Sequence, residues 1–155
     1  MSKFDFSYRS RIDEDLLFYD GPVIEVSISA PEPMLAFWRD NNFPPFPAIL
    51  GLAIIDTGAS VSVVEESVML ELEIPFLDTI RTGTIHGTRE AKRFNASADF
   101  PGINLTGLPL DHVPAGDVRT RTRYGGDVIM LLGRDLLRRF TVTYDGPNSK
   151  IEITT

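Results

Sequence analysis

The chain has 155 residues, enough for one domain with a core of its own, and its 43% apolar and 24% charged residues are ordinary for a folded protein. A net charge of −7 argues against general nucleic-acid binding, which needs a basic face, and the absence of cysteine excludes disulfides, thiolate nucleophiles and cysteine metal sites. No apolar run reaches the length of a membrane span, the N-terminus lacks a long apolar leader, and His86 and His112 show no ligand spacing, so the expectation is a cytoplasmic protein with no membrane partner, metal or other cofactor.

Residues 1–22 read as an N-terminal arm or extension. Phe4, Phe6 and Tyr8 alternate there, which suits a short strand or a segment lying on another surface. Gly21-Pro22 punctuates, and Val23 to Ser29 alternates with β-branched residues, as a half-buried strand does. From Pro31 to Pro47 the prolines at 31, 33, 44, 45 and 47 predict an ordered loop in place of a long helix or a central strand. Its aromatics, Phe37, Trp38, Phe43 and Phe46, either pack on the domain or offer a surface to a partner.

Ala48 to Ile55 is an apolar run that ends in Asp56-Thr57-Gly58-Ala59-Ser60. An apolar run closed by a glycine turn predicts a buried strand, with the Asp56 carboxyl at the edge of the core. A carboxylate there costs free energy unless it is hydrogen-bonded. Gly58 lets backbone approach where a side chain would not fit. The bland alternative is a plain turn. Val61, Val63 and Val64 resume β character, and the helix formers of Glu65 to Leu72 predict a short helix that stops before Ile74-Pro75.

Ile80 to Phe94 predicts a hairpin with a glycine-bearing tip around Gly83 and Gly87, where His86 reads as a solvated turn residue. Short strands follow to Leu110, then a loop at Pro114-Ala115-Gly116, and Arg119, Arg121 and Arg123 alternate on one solvated face. Val128 to Leu132 is a second buried strand, broken by Gly133, with a short helix opening at Arg134-Asp135. Thr141 to Asp145 and Lys150 to Thr154 form a terminal hairpin around Gly146-Pro147. The sum is an all-β, barrel-like domain with one or two short helices.

The pair Ile54-Ile55-Asp56-Thr57-Gly58-Ala59-Ser60 and Leu131-Leu132-Gly133-Arg134-Asp135-Leu136-Leu137, with a hairpin between them, resembles the retropepsin-like aspartic proteases. The resemblance covers residues 23–155. It implies a closed or partly closed barrel of the acid-protease type and a homodimeric aspartic endopeptidase, with Asp56 catalytic and supported by Thr57, Gly58 and Ala59. It further implies a flap formed by Gly83, Thr84, Ile85, His86 and Gly87 closing over an extended peptide, and structural roles for Gly133 and Arg134. Partners would be a second copy and a peptide or protein substrate. A catalytically weak or inactive relative, serving as a peptide-binding or dimerisation module, is the alternative. Two departures stand out: Ser60 replaces the acid that often pairs with the Gly-Arg arginine, and Ala59 lacks the hydroxyl that related enzymes carry there.

Overall fold

A computed structural model of the chain describes residues 3–7 (by backbone alone), 16–84, 86–123 and 125–154. Within them the alternating and apolar runs become eleven strands: β1 (Lys3–Ser7), β2 (Val23–Ser29), β3 (Ile49–Ile55), β4 (Val63–Glu65), β5 (Phe76–Thr84), β6 (Gly87–Phe100), β7 (Leu105–Gly116), β8 (Thr120–Arg121), β9 (Asp127–Leu132), β10 (Thr141–Asp145) and β11 (Lys150–Thr154). Four short helices join them: α1 (Leu16–Asp20), α2 (Glu32–Asp40), α3 (Glu66–Glu71) and α4 (Arg134–Leu137).

Six strands close into a barrel. β2 pairs β3, β3 pairs β9 in parallel, β9 pairs β4, β4 pairs β7 in parallel, β7 pairs β6, and β6 returns to β2 at Ile28↔Ala98. Closure leaves these strands fewer free edges and encloses an apolar interior. Ile24, Val26 and Ile28 share a face with Ala53, Met130 and Leu132, and join Phe94 and Phe100 in the core, all nearly fully buried. Each Ile, Leu or Phe so buried contributes on the order of 2 kcal/mol. β3 and β9 approach closely because Gly51 has no side chain: a Cβ there would lie 2.7 Å from the Ile129 side chain. The expected all-β closed barrel is therefore what the chain forms. Outside it, β1, β11 and β10 make a small antiparallel sheet in which the strand within the N-terminal segment lies against the C-terminal one. No helix among the described residues is long and apolar enough to cross a membrane.

Two segments differ from the sequence expectation. The segment 31–47 is not all loop, since Glu32–Asp40 is helical. Pro31 sits at the N-cap and Pro33 in the first turn, where a missing N–H removes no hydrogen bond. Phe37, Trp38 and Phe43 cluster about this helix, while Phe46 also packs against the core. The Trp38 indole donates to the Pro44 carbonyl at 2.6 Å and packs on Phe43 and Phe46 at 4.8 and 5.3 Å between ring centres. Pro114-Ala115-Gly116, expected as a loop, instead ends the long strand β7. A proline is tolerated because the β6–β7 pairing is already irregular nearby. His112 has φ +55° beside a register shift, and its N–H donates to the Asn95 side chain at 2.9 Å.

Candidate active site

Parallel pairing of β3 with β9 brings the two apolar runs to the same end of the barrel, with Ile54↔Leu131 and Ile55↔Leu132 in register. The residues that follow each run therefore meet. Asp56 N–H donates to the Leu132 carbonyl at 3.0 Å, and Arg134 N–H donates to the Ala59 carbonyl at 3.0 Å. Residues 76 and 75 positions apart in the chain thus lock as one double turn.

Within the turn, Asp56 Oδ1 accepts the Gly58 N–H at 2.9 Å and the Ala59 N–H at 3.1 Å. Asp56 is half-buried. Among the described residues nothing in the chain donates to Oδ2. One carboxylate oxygen is thereby fixed by backbone, and the other has no donor among the described residues. A Cβ on Gly58 would lie 3.1 Å from Oδ1, so the turn is tight against its own carboxylate. Thr57 is exposed, and its hydroxyl engages no described residue.

Arg134 resolves the Ser60 departure. Its guanidinium donates to the Thr57 carbonyl at 2.7 Å and the Gly58 carbonyl at 3.3 Å. The cation therefore braces the acid-bearing turn through backbone oxygens, and no acid at position 60 is needed for it. Gly133 is required for space. Its φ of −86° suits any residue, yet a Cβ would lie 2.6 Å from the Val61 carbonyl carbon and 2.9 Å from Ser62 N.

Three further residues complete the frame. The Ser62 hydroxyl accepts the Gly133 N–H at 2.9 Å and donates to Asp135 Oδ1 at 2.7 Å, while the Ser62 and Leu136 N–H groups donate to the same oxygen at 2.9 Å each. Glu65, nearly buried, accepts from the Val118 and Arg119 N–H groups at 2.8 and 3.0 Å and from the Ser67 hydroxyl at 2.9 Å. Burial pushes its carboxyl up, but the bonds from Val118, Ser67 and Arg119 outweigh that and hold it below its ordinary value. Sequence reasoning takes Asp135 only as a helix opener and Glu65 only as the start of a helix, and does not single out Ser62. Ser62 and Asp135 stand 73 positions apart, and nothing local marks their contact.

Gly83, Thr84, His86 and Gly87 lie on a separate arm, the hairpin of β5 and β6, while Ile85 lies outside the described residues. The tip is tied by the Thr84 hydroxyl, which donates to the Gly87 carbonyl at 2.9 Å and accepts the His86 N–H at 3.2 Å. Gly87, at φ +114°, supplies the left-handed backbone of the turn. The root of the arm is held by a two-point Arg93–Asp78 pair and by Lys92 on Glu66 at 2.8 Å. Of the alternating arginines, Arg119 and Arg121 both reach Asp127, at 3.0 and 3.3 Å, and Arg123 lies over the Tyr19 ring at 3.9 Å. Among the described residues no group of three His, Asp or Glu side chains is placed to hold a metal ion.

No protein-family model and no curated protein matches the sequence. Among solved structures, the crystal structure of a retropepsin-like aspartic protease from Rickettsia conorii is similar over 97% of this chain and 89% of its own, at 19% sequence identity and a TM-score of 0.47. A likeness that distant assigns no role to any residue here.

Proposed function

We propose that the chain is an aspartic endopeptidase that works as a homodimer, with Asp56 of each copy contributing to one site. The observation that carries this is the Asp56-Thr57-Gly58 turn itself: one carboxylate oxygen held by two backbone N–H groups, the other open, on a frame closed by Gly133 and Arg134. A single carboxyl cannot act as acid and base at once. Two facing carboxyls can, because like charges at close range do not both ionise and one proton is shared; aspartic proteases are the standard example of this.

The reaction then balances as follows. The ionised carboxyl takes a proton from a water lying between the pair, and the water oxygen bonds to the peptide carbonyl carbon. The protonated carboxyl gives its proton to the developing oxyanion. Collapse of the gem-diol breaks the C–N bond: the carboxyl protonated by the water gives that proton to the leaving nitrogen, and one gem-diol hydroxyl returns its proton to the other carboxylate, which restores the singly protonated pair. The exposed Thr57 hydroxyl is free to brace the two turns across a two-fold axis, the commonest symmetry of homodimers. The arm carrying Gly83, Thr84, Ile85, His86 and Gly87 would close over an extended substrate and exclude water.

Shared catalysis has a direct test. Wild-type chain mixed with a fourfold excess of Asp56→Asn chain leaves about one-fifth of the wild-type copies paired with each other. Peptidase activity per wild-type copy should fall to about that fraction. Unchanged activity per copy, or a strictly monomeric sedimentation profile for the active species, would remove the dimeric site.

A further inference from the structure

The hairpin arm carries on one face a cation, Arg89, that pairs with no acid among the described residues. In register, Ile80 faces Ala91 and Thr82 faces Arg89 across the two strands, while Arg81 faces Glu90 and Gly83 faces Thr88. Cross-strand partners share a face, and successive residues alternate. One face of the arm therefore carries Ile80, Ala91, Thr82 and Arg89; the other carries Thr79, Lys92, Arg81, Glu90 and Thr88. Burial distinguishes them. Ala91 is 8% exposed and Ile80 and Thr82 are half-buried, whereas Arg81, Glu90 and Thr88 are all exposed. On the outer face only Lys92 is half-buried, at the root, where it reaches Glu66.

Arg89 thus extends the inner face toward the tip, one pair beyond the buried Ala91. It is exposed and forms no ion pair among the described residues, unlike Arg93 at the root, which is neutralised by Asp78. Its face-mate Thr82 adds a hydroxyl. An unpaired guanidinium beside a hydroxyl, on the face that turns inward, suits a carboxylate, which it can hold through two parallel hydrogen bonds. The chain as a whole, at net charge −7, repels acidic peptides, so a local cation decides the matter.

We propose that Arg89 is a specificity-determining residue that selects an Asp or Glu side chain of an extended peptide lying under the arm. The placement of the peptide rests on the peptidase function proposed above. The test separates the two. Asp56→Asn protein, unable to cleave, is incubated with an equimolar random decapeptide pool, and retained peptides are sequenced by mass spectrometry. Retained peptides should be enriched in Asp and Glu about fivefold, the scale of a partly exposed charge pair. Adding Arg89→Ala should abolish the enrichment, Arg89→Glu should turn it toward Lys and Arg, and Arg81→Ala on the outer face should leave it in place. Absence of enrichment, or enrichment that survives Arg89→Ala, overturns the inference. Wild-type cleavage of the same pool reports separately on the peptidase. Cuts indifferent to acids leave the enzyme and discard Arg89, whereas acid-selective retention without cuts keeps Arg89 and discards the enzyme.

Discussion

Gly133→Ala is the substitution that most directly probes the double turn. The added methyl would sit 2.6 Å from the Val61 carbonyl carbon, 2.8 Å from its oxygen and 2.9 Å from Ser62 N. All three are backbone atoms, so no side chain can swing aside. Relief requires the 61–62 and 133–134 segments to part, which also lengthens the Gly133 N–H bond to the Ser62 hydroxyl, 2.9 Å in the folded chain. Overpacking of this kind costs typically 1–3 kcal/mol, and loss of the buried bond about 1 more, so about 3 kcal/mol is expected in all. At roughly 2 kcal/mol per molar urea, the unfolding midpoint should drop by about 1.5 M, and Tm by roughly 6–12 °C. Gly83→Ala is the control: no atom lies within 4 Å of its Cβ position, and its stability should change by less than about 0.5 kcal/mol. Urea melts followed by near-UV circular dichroism give both numbers. A Gly133→Ala protein within about 0.5 kcal/mol of wild type would refute the idea that the two turns are packed to backbone contact.

Other substitutions separate the parts of the frame. Glu65→Gln keeps the shape but loses a carboxylate held below its ordinary value, first against burial and then by the Val118, Ser67 and Arg119 donors. A depressed carboxyl stabilises the fold in full above the ordinary carboxylate range and stops doing so as pH falls through its folded value. Wild type should therefore exceed Glu65→Gln by about 2 kcal/mol at neutral pH, with the gap closing in acid; a gap independent of pH in urea melts would contradict this. Ala59→Ser restores a hydroxyl beside the acid turn, and a donor to the ionised form favours it, so the activity profile should move to lower pH. A shift to higher pH in matched peptide assays would count against that role. Arg134→Lys should cost activity and about 1 kcal/mol of stability, because the flexible lysine stem does not hold an ammonium where one guanidinium nitrogen, Nη1, donates to both the Thr57 and Gly58 carbonyls. Full retention of both would show the brace to be dispensable.

The strands of the barrel were legible in the sequence where burial is one-sided or complete. Val23 to Ser29 carries its apolar side chains at Val23, Ile24, Val26 and Ile28, all buried, and leaves Glu25 exposed, while Leu52 to Ile55 and Val128 to Leu132 are apolar because both faces of β3 and β9 are largely covered. The break at Gly133 was legible, although its cause, contact with Val61 backbone, was not. The helix Glu32–Asp40 was hidden by prolines that count against a helix interior and are harmless in its first turn. The long strand through Pro114 was hidden by the same rule applied to sheets, since an irregular register near His112 accommodates the proline. Of the site, Asp56, Thr57, Gly58, Ala59, Gly133 and Arg134 were legible as motifs and do come together. Ser62, Asp135 and Glu65 were not, because their hydrogen bonds cross 53 to 73 positions and depend on the parallel pairings of β3 with β9 and β4 with β7.

The most direct measurement is cleavage of a diverse peptide pool by wild type beside Asp56→Asn, read by mass spectrometry from acid to neutral pH, with sedimentation of both proteins alongside. Cuts made by wild type and absent with Asp56→Asn, from proteins of equal stability that both sediment as dimers, are the expected result. A folded wild-type dimer that cuts nothing at any pH, or equal cutting by Asp56→Asn, would contradict the assignment of Asp56 as the catalytic carboxyl.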